Sequence, residues 1–221
     1  MNLHVPQTEE ARAEAMELMG VKHNLATPKN GEPIIAATQD FITAAYLLSS
    51  KDNFYDRRTF TYIVMQMMDG ITHLDLPPPA IFAPKRLWTG KQIFSMLMRP
   101  NKASPVKVNL DAKCKEFSDP EPPQPGHKPL APDMCRNDGW LVVRNSEVMC
   151  GRMDKSTVGA GKKESIFYVI LRDFGPDAAV ATMNRLAKLC ARALTIRGFS
   201  IGIGDVYPTA TLTEQKQALV E

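Results

Sequence analysis

The sequence predicts an α+β fold, with helices and short antiparallel strands, on three observations. Helix-period segments with clear start and stop signals occupy residues 8–68 and 176–197. Short alternating runs bracket turn residues between 106 and 153. Nowhere do strand and helix patterns alternate in the repeated order that a doubly wound parallel sheet requires.

Residues 8–19 read as a first helix: Thr8 can cap it, Glu9 and Glu10 occupy the first turn where the helix dipole favours anions, and Gly20 can end it. Its apolar positions Ala11, Ala15, Leu18 and Met19 form one stripe. Asn30-Gly31 between Pro28 and Pro33 predicts a chain reversal, because both residues tolerate positive φ. Helices follow over 38–49 and 56–68, and the run Pro77-Pro78-Pro79 ends the helical region. Residues 80–83 form a short apolar strand candidate. Residues 89–98 and 165–172 fit helix or strand equally. Alternation at 106–110 predicts a strand, and 140–144 with 147–153 around Asn145-Ser146 predicts a hairpin.

Residues 118–133 hold six prolines within thirteen positions and read as an exposed, extended, poorly ordered loop. Residues 154–164 read as a basic, glycine-containing loop. Pro176 and Gly198 punctuate a long helix, 198–205 is a turn-rich segment, and a last helix starts near 211.

Composition narrows the class. A chain of 221 residues is one large or two small domains, and a hydrophobic fraction of 44% with 23% charge excludes a disordered or collagen-like chain. No apolar run reaches membrane-spanning length. Glu9, Glu10, Glu14 and Glu17 near the start contradict a secretory or mitochondrial leader, so an intracellular protein is expected. A net charge of +3 is too small to argue nucleic-acid binding. Four scattered cysteines and four scattered histidines lack metal-ligand spacing, so reduced thiols and no metal site are expected.

No motif carries chemistry by itself. Gly159-Ala160-Gly161-Lys162-Lys163 invites a phosphate-loop reading, but Ser156 and Lys163 stand where that motif needs glycine and a hydroxyl residue. The glycines at 198–204 follow a helix where a dinucleotide fingerprint requires a strand. No nucleophile, base and orienting acid share a recognisable spacing, so no catalytic residue is assigned. The methionines 65, 67 and 68 read as adaptable packing.

Several stretches together resemble one family. Residues 1–15, MNLHVPQTEEARAEA, are similar to the segment that follows the catalytic aspartate motif of multisubunit RNA polymerase largest subunits. The turn Asn30-Gly31-Glu32-Pro33, the pair Gln39-Asp40, Pro78-Pro79-Ala80-Ile81, Leu87 to Ser95 and Gly198 to Asp205 continue the likeness in order. Leu25 to Ala37, Met153-Asp154-Lys155 and Phe167 to Asp173 resemble the polymerase III branch more than polymerase II. The proline loop 118–133 looks like a lineage-specific insertion.

The resemblance implies a layout and a role. Residues 1–24 would be the tail of the active-site domain, 25–205 the pore domain with its insertion, and 206–221 the start of the funnel domain. It implies α+β pore architecture, lining a secondary channel through which nucleoside triphosphates enter and backtracked RNA extrudes during synthesis of small RNAs such as tRNA and 5S rRNA. Lys155 sits where the polymerase II relative has the first of two adjacent lysines touching nucleotide phosphates, and Ser156 replaces the second. Lys162 and Lys163 could restore positive field nearby. One lysine–phosphate charge pair is worth on the order of 4 kcal/mol at close range near a protein surface, before desolvation is subtracted.

The resemblance also implies Mg²⁺ in the full enzyme, held by aspartates that would precede Met1, so the isolated chain is expected to be inert. Implied partners are other polymerase III subunits, especially the second-largest, with nucleoside triphosphates, the RNA 3′ end and the DNA template, in the nucleus and without a membrane. The alternative is a stand-alone interaction module or relic. That alternative predicts polar surfaces, whereas a piece of a larger assembly predicts exposed apolar faces.

Overall fold

The computed structural model describes residues 1–70, 72–115 and 137–220. The expected proline-rich insertion at 118–133 lies outside the described residues.

Helix α1 (Glu9–Glu17) starts as the sequence predicts, with the Thr8 hydroxyl accepting the Ala11 N–H at 3.2 Å. A single 3₁₀ turn (Val21–His23) follows, and the Asn30-Gly31 reversal closes where Ala26 bridges Pro33, with Gly31 at φ +73°. Helix α2 (Gln39–Ser49) leads to the two-residue strand β1 (Phe54–Tyr55) and to α3 (Arg57–Gln66), capped by Asp56. Strand β1 pairs antiparallel with β2 (Trp88–Thr89), Tyr55 opposite Trp88. The strand candidate at 80–83 is only an isolated bridge between Ile81 and Leu87.

The ambiguous residues 89–98 form helix α4 (Gly90–Met98). Its start is fixed by a reciprocal cap in which the Thr89 N–H donates to Gln92 Oε1 at 3.0 Å and the Gln92 N–H to the Thr89 hydroxyl at 3.4 Å. The same Gln92 amide and the Trp88 indole donate to the carbonyls of Pro78 and Pro77, which seats the triple-proline stretch.

The second sheet has order β3-β4-β5, all antiparallel: β3 (Leu110–Lys113), β4 (Trp140–Arg144) and β5 (Glu147–Cys150). Asn145 and Ser146 form the predicted hairpin turn, both at positive φ (51° and 68°). The strand expected at 106–110 begins only at Leu110. The preceding residues bond instead to that turn: the Val108 N–H donates to Ser146 Oγ at 2.9 Å, and the Ser146 N–H to the Val108 carbonyl at 2.8 Å. A buried serine at the hairpin tip takes the place of a ladder partner. The hairpin's second strand stops at Cys150 rather than 153.

The loop expected at 154–164 contains a short helix, α5 (Lys155–Val158). Residues 165–172, ambiguous in sequence, open the long helix α6 (Ile166–Arg197), which breaks at Gly175 (φ +85°) before Pro176 and ends at Gly198 (φ +73°). The turn-rich segment carries one helical turn, α7 (Ile203–Val206), and the last helix is α8 (Ala210–Val220).

The core gathers Leu48, Phe60, Phe94, Leu141, Phe167 and Leu189, from α2, α3, α4, β4 and both halves of α6. Helix α4 lies at its centre, packed against α2, α3, α6, β2 and β5. Its final turn is closed by Arg185 of α6, whose Nε donates to the Leu97 carbonyl at 2.7 Å, and burial lowers the guanidinium's pKa. Burial also pushes the thiol of Cys114 up to about 11 and that of Cys190 to about 12, which keeps both protonated and inert at neutral pH. No described helix is long and apolar enough to cross a membrane.

At Gly90, the first residue of α4, a side chain would overlap the Leu48 carbonyl of α2. Gly90→Ala is expected to destabilise the chain by about 3 kcal/mol in denaturant unfolding. Gly204→Ala, in open space on α7, is expected to change stability by less than about 1 kcal/mol.

Candidate functional site

The segment from Gly151 to Gly159 crosses from the β5 strand to α6 along the face of the core. Along it, Gly151, Met153, Asp154, Ser156, Thr157, Val158 and Gly159 are buried, Arg152 is half-buried, and Lys155 is exposed. The run is tied at nearly every residue. The Gly151 N–H donates to Asp138 Oδ1 at 3.1 Å, and its carbonyl accepts Lys91 Nζ at 2.6 Å. The Arg152 carbonyl accepts the Cys114 thiol, while its guanidinium bonds the Tyr46 hydroxyl at 2.6 Å and lies over that ring. The Met153 N–H donates to Ser49 Oγ at 2.9 Å, and the Val158 carbonyl accepts the Ala37 N–H at 3.1 Å.

Asp154 is the hub. One carboxylate oxygen accepts the N–H groups of Ser156 (2.8 Å) and Thr157 (3.0 Å) and the Ser156 hydroxyl (2.5 Å). The other accepts the Lys115 N–H at 2.6 Å, and the Asp154 N–H in turn donates to the Thr157 hydroxyl at 2.8 Å. A buried carboxylate satisfied this fully is a cap, not an acid or base, and it sets the direction in which α5 begins. Lys155 is the first residue after that cap, so its backbone is held while its ammonium stands in solvent.

Lys162 and Lys163 sit differently. Residues 160–164 form an exposed turn around Gly161 (φ +81°), fastened by the Ser165 N–H donating to the Lys162 carbonyl at 3.3 Å. Neither ammonium meets an acid among the described residues, and no described contact joins either to Lys155. The structure therefore separates the three candidates into one rigidly mounted cation and two on a surface turn. Ser156, in the place of the second lysine expected from the resemblance, is buried, and its single hydroxyl proton goes to the Asp154 carboxylate, with the Lys113 carbonyl 3.2 Å from the same oxygen.

A cleft of about 410 Å³ opens elsewhere, between Pro77, Gln92, Arg99 and Met149, and includes none of the three lysines. Among the described residues no three of His, Cys, Asp and Glu come together as a metal-binding group.

Residues 24–206 match the model of the family described as RNA polymerase Rpb1, domain 3. The chain belongs to this family. It is 61% identical over 221 residues to DNA-directed RNA polymerase III subunit RPC1 of Saccharomyces cerevisiae. It is 49% identical over 223 residues to the Homo sapiens subunit of that name, and 40% identical over 220 residues to that of Trypanosoma brucei brucei. In each case all of this chain is matched, and it spans about 15% of the length of these curated relatives. Membership of the Rpb1 domain 3 family agrees with the α+β architecture that the sequence predicts, and the identities to the polymerase III relatives agree with the branch that its motifs resemble.

Sequence reasoning nominated Lys155 as a candidate through resemblance, without any sign of its mounting. Asp138 and Lys91, distant in sequence and without a shared motif, left no signal. The Asp154 cap was readable, since Asp followed by Thr three residues later before an apolar residue is a helix-start pattern. Asp154→Ala is expected to cost about 3 kcal/mol in stability and to speed amide hydrogen exchange at Lys115 and Ser156 selectively.

Proposed function

We propose that this chain is the pore-forming part of the largest catalytic subunit of a DNA-directed RNA polymerase III, where it lines the channel that admits nucleoside triphosphates and passes backtracked RNA. Identity to the RPC1 relatives along the whole chain supports placement in that subunit. The observation that carries the channel role is Lys155, an exposed cation displayed on a buried, hydrogen-bonded run. A triphosphate entering a narrow passage loses hydration, and a cation whose backbone is already fixed offsets part of that loss with little further ordering.

A single exposed ammonium gives weak, reversible capture, which suits a passage better than a binding site. Lys162 and Lys163 add positive field on a surface turn. The reaction would need Mg²⁺ ligated outside this chain, and the isolated chain would be inactive. The enclosing complex would include the second-largest subunit, RNA and template DNA, in the nucleus. The proposed division is 1–24 as active-site tail, 25–205 as pore and 206–221 as funnel start.

The ends of the chain support membership of an assembly over a stand-alone module. Helices α1, α7 and α8 bury none of their described residues, and Leu18, Met19, Phe199, Ile203 and Leu219 are all exposed. Exposed apolar side chains of this kind are what neighbouring surfaces of an assembly would cover.

In the assembled polymerase, Lys155→Ala is expected to raise KM for nucleoside triphosphate about fivefold, with kcat near wild type at saturation. Lys155→Arg should restore most of the loss. Steady-state elongation kinetics check this, and an unchanged KM in Lys155→Ala would contradict the phosphate role.

A further inference from the structure

We propose that the buried Lys91–Asp138 ion pair is a positioning element for nucleotide capture, setting the path of the run that displays Lys155; this rests on the reading that Lys155 meets phosphate. Lys91 is the second residue of α4, and Asp138 precedes β4. Their side chains are 14% and 8% exposed and lie 2.6 Å apart.

Both partners converge on one residue. Lys91 Nζ donates to the Gly151 carbonyl at 2.6 Å, and the Gly151 N–H donates to Asp138 Oδ1 at 3.1 Å, so the pair holds both main-chain polar groups of Gly151. Gly151 has φ +96°, and a side chain there would overlap the main chain of Trp140 and Leu141. It is the residue at which the chain leaves β5 and turns toward Asp154 and Lys155. The pair therefore bolts the root of the run to α4 and to the approach to β4, while the Asp154 carboxylate bolts its middle, next to Lys155, to Lys115 just after β3.

A buried ion pair is a poor source of net stability, since apolar residues of similar size commonly serve as well. What apolar residues cannot do is bond a carbonyl and an N–H of the same glycine. The distinctive consequence of the pair is thus geometric. Displacing the run displaces the point from which the Lys155 ammonium acts, even where the fold survives.

The test uses the complete polymerase and steady-state kinetics with nucleoside triphosphate. Asp138→Asn is expected to raise KM about fivefold with kcat at saturation retained, as Lys155→Ala does. The double variant Asp138→Asn/Lys155→Ala should be no worse than Lys155→Ala alone, because the pair acts only through Lys155. Lys91→Met/Asp138→Leu removes both charges together and keeps the site apolar. It leaves the Gly151 N–H and carbonyl without these partners, and is expected still to assemble, though to a lower level than wild type, to raise KM equally, and to be non-additive with Lys155→Ala. If Lys155→Ala raises KM while the neutral pair keeps the wild-type value, or if the two effects add, the positioning role is overturned alone. A neutral pair that does not assemble makes Lys91 and Asp138 folding residues and overturns it as well. If Lys155→Ala leaves KM unchanged, the phosphate reading itself fails, and this inference with it.

Discussion

The seating of α4 is the constraint on which the rest of this structure depends. Its first residue must be glycine because the Leu48 carbonyl of α2 occupies the space of a side chain, and its second residue reaches across to Asp138 and Gly151. Its apolar side chains Ile93, Phe94, Leu97 and Met98 are buried among α2, α3, α6 and the second sheet, and Arg185 closes its last turn. One nine-residue helix thus connects the helical half to the hairpin half. Loss of its register would disturb both the apolar packing and the polar fastenings of the Gly151–Gly159 run.

Those fastenings divide labour in a physically sensible way. Apolar burial supplies the driving force but is non-directional and indifferent to which polar groups meet. Directional bonds from Asp154, Ser49, Tyr46 and the Lys91–Asp138 pair remove that indifference along one stretch of backbone. The outcome is a cation with a hydrogen-bonded backbone and an exposed side chain, a combination that would suit brief contact with a passing polyanion. Lys162 and Lys163 lack such roots, and their exposed turn offers only diffuse field.

Local signals made much of the fold legible. Thr8, the Asn30-Gly31 reversal, the Asn145-Ser146 turn and the Pro176–Gly198 bracket each act over a few residues, and each appears where the sequence places it. Residues 165–172 were ambiguous because they are buried nearly all round, which weakens the periodicity that separates helix from strand. Residues 89–98 do carry a helix-period stripe, Ile93, Phe94, Leu97 and Met98, but over too few turns to decide it by sequence alone. The strand expected at 106–110 was misplaced because its partner is a serine at a turn tip, a tertiary contact that alternation cannot encode. Of the candidate site, Lys155 was visible through family likeness alone. The residues that mount it come from α2, α4, β3 and the approach to β4, so no window of sequence contains them together.

The most direct test is covalent capture in the assembled polymerase with an acyl-phosphate derivative of ATP, which transfers its acyl group to an amine lying beside the phosphates. Peptide mapping by mass spectrometry should find the adduct on Lys155, and excess unmodified nucleoside triphosphate should suppress it. Labelling of Lys162 and Lys163 should be weaker. A polymerase that accepts the probe at other lysines while Lys155 stays unmodified would contradict the account.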